Sequence, residues 1–128
     1  MTVSVLVVDD QLPFRRAART VVELTPGFEM VGDAASGAEA VEMVAALEPD
    51  LVLMDINMDP MNGIEATRRI TAAVPATVVV LLSTYDADDL PADARDCGAA
   101  AYVHKEEFGP AVLAQVWADH LEHLGTSG

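Results

Sequence analysis

Val3-Ser4-Val5-Leu6-Val7-Val8-Asp9-Asp10, near the start of the chain, sets an almost unbroken aliphatic run against a pair of acids. Apolar side chains on both faces are what a strand needs when helices cover it on either side; a half-solvated strand alternates apolar with polar. Two further runs share this character, Leu51 to Met54 and Thr77 to Leu82, and each is followed by a polar group, Asp55 and Ser83. With Phe28 to Ala34 and Ala100 to Val103 they make five strand candidates, separated by longer segments of helical period. That alternation is the signature of βα units around a parallel sheet, with the first, third and fourth strands central.

The punctuation between the runs agrees. Pro26-Gly27 ends the first helix, because Pro disfavours the helical conformation of its predecessor and Gly tolerates a left-handed exit. Ser36 followed by Glu39 reads as a capping box opening the second helix, which stops before Pro49. The third helix begins after Asn62-Gly63, presents Ile64, Thr67, Ile70 and Val74 at helical spacing, and stops before Pro75. Asp86, Asp88 and Asp89 leave the fourth helix little apolar character, and Pro91 fits only a first turn, so a short, mobile element is expected. Pro110 opens a fifth helix with Val112, Leu113, Val116, Trp117 and Leu121 on one side. Residues 1–124 therefore read as one domain, and Gly125-Thr-Ser-Gly128 as a disordered tail or the start of a linker.

Composition narrows the function classes. A length of 128 residues and a 52 % apolar content suit one well-buried core and argue against disorder. Seven Lys plus Arg against twenty-one Asp plus Glu give a net charge of −14, a surface that repels phosphates and suits cations and basic protein faces. Direct nucleic-acid binding is not expected. The single cysteine, Cys97, cannot close an internal disulfide, which fits a reducing compartment. No basic segment precedes the first strand, and no apolar run approaches the roughly 18 residues that span a bilayer. The sequence reads as cytoplasmic, without membrane contact.

In an open parallel sheet, ligands collect beyond the carboxyl ends of the strands. Those ends carry Asp9-Asp10, Asp55, Ser83-Thr84 and Lys105. Three carboxylates brought together repel one another unless a cation neutralises them, and Mg²⁺, which takes oxygen ligands from one or two carboxylates plus a phosphate, is the natural choice. A lysine and a hydroxyl supply a point charge and a donor for phosphoryl oxygens. The set is chemically complete for phosphoryl transfer to a carboxylate.

These residues resemble the receiver domains of bacterial two-component response regulators. The resemblance runs from Val3 to about Leu121. It rests on Val5-Leu-Val-Val-Asp9-Asp10, on Asp55-Ile-Asn-Met58 with Gly63 eight residues beyond Asp55, on Ser83-Thr84-Tyr85-Asp86, and on Gly98-Ala-Ala-Ala-Tyr102-Val-His-Lys105. Ser-Thr-Tyr-Asp and Gly27-Phe-Glu-Met-Val-Gly32 make it most similar to receivers that precede a helix-turn-helix domain of the NarL/FixJ type.

The resemblance implies a flavodoxin-like (CheY-like) three-layer α/β/α sandwich on a five-stranded parallel sheet of order 2-1-3-4-5. It makes Asp55 the acceptor of a phosphoryl group from a sensor histidine kinase. Asp10 would bind Mg²⁺ directly, Asp9 through water, and the main-chain carbonyl of Asn57 would complete the protein's share. Lys105 and Ser83 would hold phosphoryl oxygens. Tyr102 would turn inward as Ser83 moves, coupling the site to the face of the fourth helix, fifth strand and fifth helix. Asn57, Thr84 and Tyr85 would tune the lifetime of the acyl phosphate. The implied partners are the kinase, a second receiver on activation, and a DNA-binding effector domain in a longer chain, giving transcription regulation.

One departure stands out. The family places proline four residues after the phosphorylated aspartate; here Asp59 holds that position and Pro60 follows, which predicts an altered loop and one more negative charge near the metal. It is the main support for a rival reading, a pseudo-receiver that binds protein without phosphorylation. An aspartate-nucleophile phosphatase needs a second acid two residues after the nucleophile, where Asn57 stands. Tyr102 reads equally as a fixed core aromatic, and His120 with His123 lacks a third ligand for a metal.

Overall fold

The aliphatic runs pair as one parallel sheet in the computed structural model, which describes residues 2–84 and 90–127. Along the chain the elements are β1 (Val3–Val8), α1 (Leu12–Leu24), β2 (Phe28–Ala34), α2 (Gly37–Leu47), β3 (Leu51–Asp55), α3 (Gly63–Ala73) and β4 (Val78–Ser83). There follow a 3-10 segment (Ala92–Asp96), β5 (Ala101–His104), a 3-10 turn (Lys105–Glu107) and α4 (Pro110–Ser127). The strand order is β2-β1-β3-β4-β5, the expected flavodoxin-like arrangement.

Burial explains the sequence pattern strand by strand. Successive residues of a strand face opposite sides. Leu6, Val8, Val52, Met54, Val79 and Leu81 pack with Ala40 and Val44 of α2 and Ile64 and Ile70 of α3. Val5, Val7, Leu51, Leu53, Val80 and Leu82 pack on the other side with Ala18 and Val22 of α1 and Leu113 of α4. Each central strand feeds two cores, so apolar side chains fill both of its faces along most of its length.

The helix boundaries follow their caps. Ser36 Oγ accepts the Glu39 N–H at 3.1 Å, but the Glu39 carboxylate accepts from Ala35 N–H at 3.1 Å, so the return bond lands one residue ahead of the cap. Asn62 Oδ1 accepts from Glu65 N–H at 2.9 Å at the head of α3. Gly27 makes the left-handed exit at φ 87°. Before Pro49 that conformation falls instead on Glu48, at φ 46°.

Four expectations are corrected. The third strand extends to Asp55, and the fourth and fifth each sit one residue later than the aliphatic runs suggest, at Val78–Ser83 and Ala101–His104. Main-chain pairing, which ignores side-chain polarity, carries them on: Asp55 lies opposite Leu82, and Ser83 opposite His104. The fourth helix is replaced, within the described residues, by the five-residue 3-10 segment, with Pro91 as its N-cap. Asp86, Asp88 and Asp89 lie outside the described residues. The fifth helix is α4, which runs from Pro110 through Gly125 and Thr126 to Ser127. Propagating a formed helix adds a hydrogen bond per residue, and one glycine costs only about 1 kcal/mol against it. Among the described residues no helix is long and apolar enough to cross a membrane.

Candidate functional site

Parallel registers bring the carboxyl ends of the strands level. Val8 of β1 pairs with Met54 of β3, Asp55 with Leu82 of β4, and Ser83 with His104 of β5. The residues that end or follow these strands, Asp9, Asp10, Asp55, Ser83 and Lys105, therefore share one edge of the sheet.

The three acids converge: Asp9, Asp10 and Asp55 each offer a carboxylate oxygen within 4.8 Å of the others. Asp9 is fully buried, Asp55 is 3 % exposed, and Asp10 faces solvent. Lys105 Nζ lies 2.6 Å from Asp9 Oδ2 and 3.2 Å from Asp55 Oδ1, bridging the two buried carboxylates. Its ammonium also sits 4.4 Å above the centroid of the Phe14 ring, which packs against Phe108 at 6.4 Å. A cation over an aromatic face is attracted by the ring quadrupole, so Phe14 fixes the lysine's height without competing for its hydrogen bonds.

Asp9 is held at every polar atom. Its N–H donates to Ala34 at 3.1 Å, Oδ1 accepts from Gln11 N–H at 2.8 Å, Oδ2 takes Lys105, and its main-chain carbonyl accepts from Arg15 Nη1 at 2.6 Å. Asp55 is located by its neighbours in the chain. Its Oδ1 accepts from Asn57 N–H across 3.4 Å, and α3 begins directly against its carbonyl. A Cβ on Gly63 would collide with that carbonyl oxygen, and the Gly63 N–H donates to Ile56 at 2.9 Å, so only glycine lets the loop close this tightly.

Electrostatics follow from this geometry. Burial, then the adjacent charge of Asp9, push the Asp55 carboxyl above the usual carboxylate value; Lys105 and the Asn57 N–H pull it back without cancelling the effect. Burial works against the Lys105 ammonium, but its hydrogen bond to Asp9 and the charges of Asp55 and Asp9 outweigh that, so its pKa is raised. One ammonium against three carboxylates leaves the edge negative. An all-oxygen donor set of uncompensated charge, open on the Asp10 side, fits a hard divalent cation.

The remaining residues divide. Ser83 is buried at the end of β4, and Thr84 is exposed beside it. Asn57 is exposed on the loop after Asp55; Tyr85 lies outside the described residues. Tyr102 is no core aromatic: it is 37 % exposed, and its hydroxyl donates to Ala94 of the 3-10 segment at 2.6 Å. Asp59 precedes a cis peptide to Pro60, is exposed, and lies outside the three-acid group; with Asn57 and Asp93 it lines a cleft beside the loop that follows Asp55. His120 lies against Trp117, ring centroids 5.6 Å apart, and the His123 side chain lies outside the described residues.

Sequence reasoning missed Phe14 and Arg15. The signal was positional: a helix that starts at Leu12, so soon after Asp10, turns its first residues back over the strand ends.

The family model for the response regulator receiver domain matches residues 5–117. The chain is 35 % identical over 114 residues to the transcriptional regulatory protein DegU of Brevibacillus brevis, covering 89 % of this chain and 48 % of that protein. It is 44 % identical over 106 residues to a protein-glutamate methylesterase/protein-glutamine glutaminase of Alkalilimnicola ehrlichii, covering 82 % of this chain and 27 % of that protein. The chain thus spans about half or less of these curated relatives. Among solved structures, a two-component response regulator of the LuxR family from Aurantimonas sp. SI85-9A1 superposes with a TM-score of 0.85 at 31 % identity, covering 96 % of this chain and 87 % of that one. The response regulator domain of Thermotoga maritima CheB gives 0.75 at 32 %, covering 98 % and 96 %.

Proposed function

Because the chain belongs to the response regulator receiver domain family, we propose that it works as a phosphorylation switch whose acceptor is the carboxylate of Asp55. The observation that carries this reading is the bridge made by Lys105 between Asp9 and Asp55 at the rim of a three-acid cluster. A carboxylate kept more basic than usual is a better nucleophile toward phosphorus, and the lysine already stands where charge on a transferred phosphoryl oxygen would develop.

In the proposed step an oxygen of Asp55 attacks phosphorus in line. The P–O bond forms as the P–N bond to a kinase phosphohistidine breaks, and the histidine leaves with the electron pair and takes a proton. Asp10, Asp55, the Asn57 carbonyl and, through water, Asp9 would hold Mg²⁺, which when bound neutralises charge between the carboxylates and the phosphoryl oxygens. Lys105 exchanges part of its contact with Asp55 for a phosphoryl oxygen, and the Ser83 hydroxyl donates to another. Tyr102 then gives up its surface position, changing the face formed by the 3-10 segment, β5 and α4. Asn57 and Thr84, which are exposed beside the site, would tune the lifetime of the acyl phosphate, the role the resemblance also gives to Tyr85.

The output would be receiver dimerisation or contact with an effector domain in a longer, cytoplasmic protein. The transcriptional relative and the LuxR-family structure favour a DNA-binding effector; the methylesterase relatives make an enzymatic effector the second reading. Incubation with Mg²⁺ and acetyl phosphate, followed by intact mass measurement, tests the central claim. One phosphoryl mass is expected on the wild type and none on Asp55→Asn. A wild type that gains no mass would favour the phosphorylation-independent module.

A further inference from the structure

We infer that Arg15 is a positioning residue for the acid pair Asp9-Asp10, acting through the peptide that joins them; the inference rests on the metal-binding reading above. Arg15 is 15 % exposed and commits its guanidinium to two acceptors. Nη1 donates to the main-chain carbonyl of Asp9 at 2.6 Å, and Nε donates to Asp33 Oδ2 at 2.9 Å. Asp33 is the penultimate residue of β2, paired with Val7 of β1, so the anchor belongs to the same sheet edge as the acids.

The physical route is short. A peptide unit is planar, so holding the carbonyl oxygen of Asp9 also fixes the N–H and Cα of Asp10. Asp9 is buried and bonded at its other polar atoms, but Asp10 is the exposed member of the cluster and follows the last strand residue by two positions. The Asp10 carboxylate swings from a Cα whose place that peptide plane sets, and Arg15 holds the plane. Only a rigid fork can hold both acceptors at fixed spacing; a lysine ammonium, a single point on a flexible stem, cannot do the same. Asp33 meanwhile offsets the guanidinium charge, so the clamp is placed beside a cation site without simply opposing the cation.

That charge gives the test its direction. If Arg15 acted only through its field, removing it would tighten divalent-cation binding. If it positions Asp10, removal weakens binding. Mn²⁺ titration of the full chain, followed by the electron paramagnetic resonance of the free ion, reads affinity with no phosphorylation involved. Outer-contact losses at metal sites set the expected scale: Arg15→Ala weakens Mn²⁺ binding about tenfold, and Arg15→Lys, which keeps the charge and loses the fork, about threefold. Thermal melts in chelator run alongside, because a purely structural role lowers the melting temperature and leaves the affinity of the folded chain unmoved. Should Arg15→Ala not fold, Arg15→Lys decides alone. Unchanged or tighter Mn²⁺ binding in a folded variant overturns the positioning role while the wild-type binding still stands. A wild type that takes up no Mn²⁺ overturns the metal reading itself and this role with it.

Discussion

The two halves of the sheet edge are built to different standards. Around β1 and β3, each polar atom of Asp9 has a partner, Lys105 ties Asp9 to Asp55, and helices of eleven to thirteen residues back the strands. Around β4 and β5, α4 covers one side and α3 reaches β4 on the other, but the described element that connects the two strands is a 3-10 segment of five residues, and Tyr102 sits partly exposed with its hydroxyl on Ala94. Short 3-10 pieces carry poorer hydrogen-bond geometry than α-helix, and regions with thin apolar cover open at lower free energy. The first half has the fixity that the proposed chemistry requires, and the second is less firmly held.

The largest effect should come from damaging the fixed half at its tightest point. Gly63→Ala forces a methyl group into the Asp55 carbonyl, and urea unfolding should show a loss of about 3 kcal/mol, the upper end for an overpacked site. A loss below 1 kcal/mol by that measurement would mean that the loop relaxes freely and that this half is no more rigid than the other. Next, Lys105→Met removes the donor aimed at the phosphoryl oxygen; acetyl phosphate labelling of Asp55 should slow about 100-fold. Equal rates would detach the lysine from the chemistry.

A smaller, pH-dependent effect is expected from Asp55→Asn in chelator. With its folded pKa raised, Asp55 binds protons more readily in the native than in the unfolded chain, so native stability falls as pH rises from 3.8 through the folded value. The variant escapes that penalty. It should be more stable than the wild type at pH 7, with the advantage shrinking as pH falls toward 3.8; an advantage that grows on acidification contradicts the sign. The smallest effect belongs to the loose half. Tyr102→Phe deletes the hydroxyl's bond to Ala94 and should cost about 0.5–1 kcal/mol, with hydrogen exchange rising chiefly in the 3-10 segment. A larger and global loss would show that this half is as rigid as the other.

Legibility in the sequence follows the same divide. Val3–Val8 and Phe28–Ala34 were readable to the residue, because aliphatic runs with cap and turn signals have one physical interpretation. The acids and Lys105 were readable because a parallel sheet puts every strand's carboxyl end on one edge. Strand ends at Asp55 and Ser83 were not, since main-chain pairing continues under polar side chains. Nor was the state of Tyr102, whose ring has an apolar body for a core and a hydroxyl for a surface; the choice depends on where Ala94 falls. Phe14 and Arg15 read as ordinary residues of a helix, and only the angle at which α1 leaves the strand makes them neighbours of Lys105 and Asp9.

The alternation of side chains between the two cores carries a last consequence. Counting by twos, Val5 and Val7 lead to Asp9, Leu51 and Leu53 to Asp55, and Val103 to Lys105, all in step with the layer of α1 and α4. Val79 and Leu81 lead to Ser83 in the opposite step, the one Tyr102 shares, toward the layer of α2 and α3. The proposed acceptor and the proposed switch residues are thus separated by parity. Such a chain can exchange one aliphatic for another along its strands, yet gaining or losing a single residue within β1, β3, β4 or β5 would send Asp9, Asp55, Ser83 or Lys105 to the wrong side. Changes in length are confined to the connections, where Asp59 and Pro60 already stand.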